Sequence, residues 1–228
     1  MALIKGLFQG ISGKVGQVVF VTKGSSTYGR RLPRKRESPY SEEELAKQAR
    51  FALTGRIASR ICQIEELKHF WKPIRSQNRS SYNRIFKANH KQFDIKKFKG
   101  FVFLSSEWGF NLNEHSIKIC KPGLQIACDP LINSDVDYKR KAKYIIAAGI
   151  IILKSPIKEN YPEYQIISFK SEKILFSRDS FIDMKIVFKG EELKIWNGYA
   201  VKKAFATLIT IDDLGNPLRN SQILKSNP

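Results

Sequence analysis

The sequence predicts an α+β protein, with an N-terminal β-hairpin and short helices followed by an immunoglobulin-like antiparallel β-sandwich. Three observations predict this fold class. A glycine-punctuated, β-branched run opens the chain, segments with helical periodicity begin near residue 41, and roughly eight short apolar runs separated by turn signals fill the rest. Because the pattern changes near residues 92–100, we expect two domains, a basic module at 1–95 and a sandwich at 96–228.

The first predicted element is the hairpin. Residues 17–22 form a strand-like run, residues 23–26 carry a turn signal, and Thr27 begins a returning strand. A two-stranded hairpin is marginal alone, and the helical region beside it offers no obvious partner strand. Two alternatives follow: the run folds back onto its own domain, or it adds to the sheet of a neighbouring copy. The residues predicted to mediate self-association are Val15, Val18, Val19, Phe20 and Val21.

Three helices are predicted next. Ser41 followed by three glutamates is a capping-box start, and the apolar residues beyond it lie on two arcs of the helix. A helix with two apolar arcs is usually covered on both sides. Residues 64–74 predict a short second helix, and residues 81–91 predict a third with a basic outer stripe.

Charge is concentrated in the front of the chain. Residues 1–100 carry 22 Lys and Arg against 7 Asp and Glu, whereas residues 101–228 carry 18 against 14. A basic front on a near-neutral rear predicts contact with a polyanion, most often DNA or RNA, although a solvated basic run is the alternative. Tyr28, Phe70, Trp71 and Tyr82 are interleaved aromatics that either stack on bases or pack in the core. The candidate phosphate contacts are Lys14, Arg30, Arg31, Arg34, Lys35, Arg36, Arg56, Arg60, Arg75, Arg79, Arg84 and Lys87.

Catalytic motifs are absent from the sequence. Gly10 to Gly16 departs twice from the phosphate-loop pattern, because Phe8 stands at the first glycine position and Val15 replaces the hydroxyl residue. The three histidines share no metal-ligand spacing, and acidic pairs such as Glu191 and Glu192 are expected in loops. We therefore expect no enzyme activity, cofactor, metal or small-molecule substrate.

Cysteine usage and hydropathy bear on the compartment. Three cysteines argue against a disulfide framework, and Cys120 and Cys128 are expected either as buried thiols or facing each other across a hairpin. No window approaches the roughly 20 apolar residues of a membrane helix, and the N-terminus lacks signal-peptide features. The expected location is the cytoplasm or the interior of an assembled particle.

Several short motifs are spread along the first ninety residues of the chain. They are Ser12-Gly13-Lys14-Val15-Gly16 with Val18-Val19, Arg31-Leu32-Pro33, the helical stretch Leu45 to Phe51, and Tyr82-Asn83. In these motifs the first ninety residues resemble a family of small, basic bacterial proteins whose activity is uncharacterised. The end of the chain, from Gly198 through Asp212 to Ser221, is similar to the closing strands of that family. The resemblance implies an architecture and supplies no site residues.

Together these observations predict a non-enzymatic structural protein that acts in many copies and whose basic N-terminal module binds nucleic acid. The alternative is a self-assembling filament or virion subunit, linked by exchange of the N-terminal β-strand and free of nucleic acid. An enzyme would require the loop from Gly10 to Gly16 to hold a ligand.

Overall fold

The computed structural model describes residues 2–4, 12–23, 26–32, 38–72, 80–94, 99–107, 109–132, 136 and 142–226. The protein is mixed α+β, with mostly antiparallel sheets and few helices. The chain divides into two compact units, residues 1–42 and 43–228, called unit 1 and unit 2 below. This division differs from the expected boundary near 92–100, because the helices supply apolar side chains to a core that they share with the later strands.

Unit 1 is a four-stranded antiparallel sheet. Its strands are β1 (Ala2–Ile4), β2 (Gly13–Val15), β3 (Val18–Lys23) and β4 (Ser26–Arg31), in the spatial order β1-β4-β3-β2. The predicted hairpin corresponds to β3 and β4. Strand β3 pairs with β2 on one side and β4 on the other, so its backbone finds partners inside the unit. The premise that this run lacks a partner strand was wrong, and the structure shows the folded-back alternative.

Three helices open unit 2. They are α1 (Glu42–Cys62), α2 (Glu65–His69) and α3 (Ser81–Asn89). The Ser80 hydroxyl accepts a hydrogen bond from the Asn83 amide at 3.3 Å and caps α3. In α1, apolar side chains are buried only from Leu53 onward, and Phe51 is 61% exposed. The expectation of a helix covered on both sides was therefore wrong for the first half of α1.

The remaining elements of unit 2 are mainly strands. In chain order they are β5 (Phe93–Asp94), β6 (Lys99–Gly100), β7 (His115–Cys120), β8 (Gly123–Cys128), β9 (Tyr144–Pro156), β10 (Tyr164–Lys170), β11 (Ile174–Leu175), β12 (Ile182–Val187), helix α4 (Gly190–Asn197), β13 (Tyr199–Ile211), β14 (Pro217–Asn220) and β15 (Leu224–Lys225). Glu191 and Glu192 lie in the first turn of α4. Their expected placement in a loop was wrong, because carboxylates there favour the positive end of the helix dipole.

These strands form three antiparallel sheets. The six-stranded sheet has the order β10-β9-β13-β14, with β11 beside β9 and β15 beside β13. The three-stranded sheet has the order β12-β8-β7, and β5 pairs with β6. Among the described residues, no helix combines the length and apolar character that crossing a membrane requires.

Both faces of the six-stranded sheet are buried, and β9 shows why. Its odd residues Ile145, Ala147, Ile151 and Leu153 join a core with side chains from the three-stranded sheet and α4. Its even residues Ile146, Ala148, Ile150 and Ile152 join a second core with side chains from α1, α2 and α3. Burial on both faces explains why the sequence of β9 is almost continuously apolar. A Cβ at Gly149 would collide with the Phe205 carbonyl on β13, so close strand approach there requires glycine.

The cysteines are free thiols. In the β7–β8 hairpin, Cys120 lies opposite Gly123 and Cys128 lies opposite His115, so the two thiols occupy opposite ends of the ladder. The expectation that they face each other was wrong because of this register. Cys128 is buried, and burial raises the pKa of its thiol to about 11, whereas Cys120 is exposed.

Candidate nucleic-acid interface

A row of two cations crosses the sheet of unit 1. Lys14 on β2 lies opposite Val19 on β3, and Val19 lies opposite Arg30 on β4. Directly opposed residues share one face of a sheet, and strands lie about 4.8 Å apart, so Lys14 and Arg30 stand roughly 10 Å apart on the same face. Lys14 and Arg30 are both exposed, and Val19 between them is half-buried. Lys14 is followed by a turn at Gly16, whose φ is +56°, and not by the helix of a phosphate loop.

Tyr28 extends this face. It precedes Arg30 by two residues on β4, which places both side chains on the same side of the strand, and it lies opposite Val21. Tyr28 is half-buried, so part of its ring remains accessible beside the cations. We call the surface made by Lys14, Val19, Val21, Tyr28 and Arg30 the basic face.

The other face of the sheet is different in character. Arg31 lies opposite Val18, which in turn lies opposite Val15. The Arg31 Nη2 donates to Gln17 Oε1 at 3.4 Å. Because Arg30 and Arg31 are neighbours on one strand, they project to opposite faces and do not form a single patch. The residues predicted to mediate self-association divide in the same way, with Val19 and Val21 on the basic face and the other three on the reverse.

Two of the helical arginines donate hydrogen bonds to backbone carbonyls within unit 2. The Arg56 Nη1 donates to the Tyr164 carbonyl at 2.9 Å, which ties α1 to the first residue of β10. The Arg84 Nη1 donates to the Trp71 carbonyl at 3.0 Å and the Lys72 carbonyl at 2.6 Å, beyond the end of α2.

Two further candidates on the helices have simpler surroundings. The Arg60 Nη1 donates to Gln63 Oε1 at 3.0 Å, and Lys87 is exposed. The predicted basic stripe along the helices is thus partly used for intramolecular anchoring. Five predicted contacts, namely Arg34, Lys35, Arg36, Arg75 and Arg79, lie outside the described residues.

An aromatic cluster on α1 and α3 was not predicted as a group. Phe51 contacts Phe86 with ring centroids 4.9 Å apart, Phe86 stacks on His90 at 5.2 Å, and Tyr82 stacks beside Phe86 at 6.4 Å. The Tyr82 hydroxyl donates to the Gly55 carbonyl at 3.4 Å, which joins the two helices. The spacing of Tyr82, Phe86 and His90 by four residues was the available signal, but it does not reveal that Phe51 is exposed.

The other predicted aromatics are structural. Phe70 and Trp71 are buried in the core beneath the helices, and the Trp71 Nε1 donates to the Leu104 carbonyl at 2.8 Å. Of the two roles considered for them, the structure places these two in core packing. In the part of the chain that the structure describes, no group of three His, Cys, Asp or Glu side chains is arranged to hold a metal ion.

Comparison with known proteins adds no further constraint. No protein-family model matches the chain, and neither a curated protein nor a solved structure matches it. The assignment of function therefore rests on the residues themselves.

Proposed function

We propose that the basic face of unit 1 binds the phosphate backbone of nucleic acid. The observation that carries this proposal is the row from Lys14 to Arg30, two solvent-accessible cations on one face of an antiparallel sheet. The four strands of unit 1 contain no carboxylate that could neutralise them. Residues 1–36 as a whole carry eight Lys and Arg and no Asp or Glu.

The chemistry of this face fits a backbone contact better than base recognition. Cations that neutralise phosphates release counterions, so binding weakens steeply as salt rises and depends little on base sequence. The partly accessible ring of Tyr28 beside Arg30 adds a surface on which an unpaired base can stack. DNA and RNA satisfy these contacts equally.

The wider proposal is a non-enzymatic structural protein that works in many copies, in the cytoplasm or inside an assembled particle. In its finer form the fold of unit 2 is a sandwich. Side chains of the six-stranded and three-stranded sheets meet in one core, as face-to-face packing requires, which supports this assignment. The helices cover the opposite face of the six-stranded sheet, an addition to the immunoglobulin-like arrangement expected from sequence.

The test compares two charge-matched double variants of the full chain. Lys14→Gln with Arg30→Gln removes the row on the basic face. Lys118→Gln with Lys185→Gln removes an equivalent row, because Lys118 on β7 and Lys185 on β12 both lie opposite Gln125 on β8. Binding to labelled single-stranded and duplex oligonucleotides is measured by fluorescence anisotropy between about 50 and 200 mM salt.

The expected result is a difference between these variants. The first should lower the slope of log K against log salt by about 1.8 on duplex DNA, since each phosphate contact contributes about 0.9. The second should leave the slope unchanged. Equal effects of the two variants, or binding that ignores salt, would contradict the proposal.

A second candidate function is self-assembly without nucleic acid, and one observation favours it. Val15 is 62% exposed on β2, which is an edge strand of the unit 1 sheet. Since β3 is paired on both sides, strand addition would use the edge of β2 instead.

Val15→Lys should then abolish assembly, because a charged side chain on an edge strand opposes pairing. Val187→Lys is the control, since Val187 is 56% exposed on the edge strand β12. Sedimentation velocity reports the outcome, and assembly retained by Val15→Lys excludes this route.

A further inference from the structure

Unit 2 contains a cavity of about 640 Å³. It lies where the turn of the β7–β8 hairpin meets the end of α4 and the beginning of β13. Ile119, Ile157 and Val201 line it and are 37%, 65% and 40% exposed. Three partly exposed apolar side chains around one cavity form an apolar surface whose hydration is unfavourable.

Lysines also line this cavity, among them Lys121 and Lys202. The Lys202 Nζ donates to the Tyr199 carbonyl at 2.5 Å and lies 5.1 Å from the centre of the Trp196 ring. These contacts hold the ammonium group against an aromatic wall. Burial lowers the pKa of Lys202, and the charge of Lys121 lowers it further. Among the described residues that line the cavity, none is Asp or Glu.

The combination of apolar walls and uncompensated positive charge defines a ligand class. Small-molecule sites are typically concave, mostly apolar and of about 300–1,000 Å³, with a few polar groups that orient the ligand. An anionic group near both lysines would relieve their mutual repulsion, while an apolar body would cover the three aliphatic side chains. A nucleic-acid backbone offers the charge and lacks the apolar body.

We propose that this cavity binds a free amphipathic organic anion, with a carboxylate, sulfate or sulfonate head directed at Lys121 and Lys202. Its apolar body lies against Ile119, Ile157 and Val201. This site is a binding site and not a catalytic one, and it adds a small-molecule ligand to a chain for which sequence predicted no small-molecule substrate. It is independent of the function proposed for unit 1.

The test uses the full chain and two probes, 8-anilinonaphthalene-1-sulfonate and decanoate below its micelle concentration. One molecule of the sulfonate should bind to each chain, and its fluorescence should increase on binding. Decanoate should displace it. Lys202→Gln should lower the affinity for both probes by about tenfold, as expected when one charge-assisted contact is lost. Ile157→Asp should abolish binding, because it removes apolar surface and adds a repelling carboxylate.

Three controls test whether the probes bind in this cavity and through both of its features. Lys185→Gln should bind like the unaltered chain, and circular dichroism should show that every variant is folded. Decanol should displace the sulfonate poorly, since it lacks the charged head. Equal binding of decanol and decanoate, or unchanged binding in both cavity variants, would overturn the proposal. If Lys202→Gln instead lost binding only to anionic lipid vesicles, the site would be a membrane contact and the free-anion proposal would be wrong.

Discussion

The unit 1 sheet and the three-stranded sheet of unit 2 share one arrangement and differ in its surroundings. Each carries two cations opposite a central residue, Lys14 and Arg30 in one and Lys118 and Lys185 in the other. On the three-stranded sheet, however, Gln125 Nε2 donates to the carboxylate of Asp183 at 2.9 Å, so negative charge lies close to that row. The register alone therefore does not define a polyanion surface, and the absence of carboxylates from the unit 1 strands distinguishes it.

The two sheets also differ in what their other faces do. The three-stranded sheet contributes several side chains to a core, whereas Thr27 is the one fully buried side chain among those that the structure describes in unit 1. Burial of apolar surface is the main favourable term in folding. We therefore expect most of the free energy of unfolding to come from unit 2. The exposed side chains of unit 1 are then available for contact with nucleic acid.

The largest expected effect is on stability. Phe205→Ala, in the core beneath the helices, should lower the free energy of unfolding by about 3–5 kcal/mol through lost burial and a cavity. Phe20→Ala, a half-buried residue of unit 1, should cost less than about 1 kcal/mol. Urea titration of the two full-length variants measures both. Equal losses would show that unit 1 contributes as much to stability as unit 2.

The second prediction contrasts a buried cation with the accessible ones of the basic face. Lys203 on β13 is 8% exposed, and burial, together with the charges of Lys225 and Lys99, lowers the pKa of its ammonium group to about 8. Between pH 8 and the usual value of 10.5, the unfolded chain binds more protons than the folded chain, so stability rises with pH.

Replacing this lysine isolates its contribution. Lys203→Met should stabilise the protein at pH 7 by about 1–2 kcal/mol, a value kept small because solvent screens part of the penalty. The advantage should shrink as pH approaches 10. It is measured as the difference in unfolding free energy between the variant and the unaltered chain at each pH. A difference that stays constant with pH would contradict the assignment.

The third prediction separates intramolecular anchoring by Arg84 from phosphate contact. Arg84→Met removes both bonds to the Trp71 and Lys72 carbonyls and should destabilise the chain by about 1–2 kcal/mol, with the salt slope of nucleic-acid binding unchanged. Lys87→Met, a neighbour on α3, should change stability by less than about 0.5 kcal/mol. A lower salt slope for Arg84→Met would restore its predicted role in phosphate binding.

Local features were predictable from the sequence, and long-range ones were not. The capping pattern after Ser41 predicts the start of α1, and the Ile-rich run beginning at Tyr144 predicts buried strand β9, because both signals lie within a few residues. The bond from Arg56 to the Tyr164 carbonyl joins residues 108 positions apart, which no local pattern encodes.

The candidate site shows the same division. The positive charge of the site was visible in the sequence. The placement of Lys14 and Arg30 on one face of the sheet, however, depends on the register of three strands. A shift of one residue would move either side chain to the other face. The separation of Arg30 from Arg31 follows from the strand conformation of β4, which directs neighbouring side chains to opposite faces.

The most direct test of the central claim is to locate bound nucleic acid on the chain. The full-length protein is photo-crosslinked to a thymidine oligonucleotide and the attached peptides are identified by mass spectrometry. The proposal predicts crosslinks in residues 12–32, strongest at Tyr28, which are lost when Lys14 and Arg30 are both changed to Gln. Crosslinks confined to strands β7, β8 and β12, or crosslinks at Tyr28 that survive the double change, would contradict it.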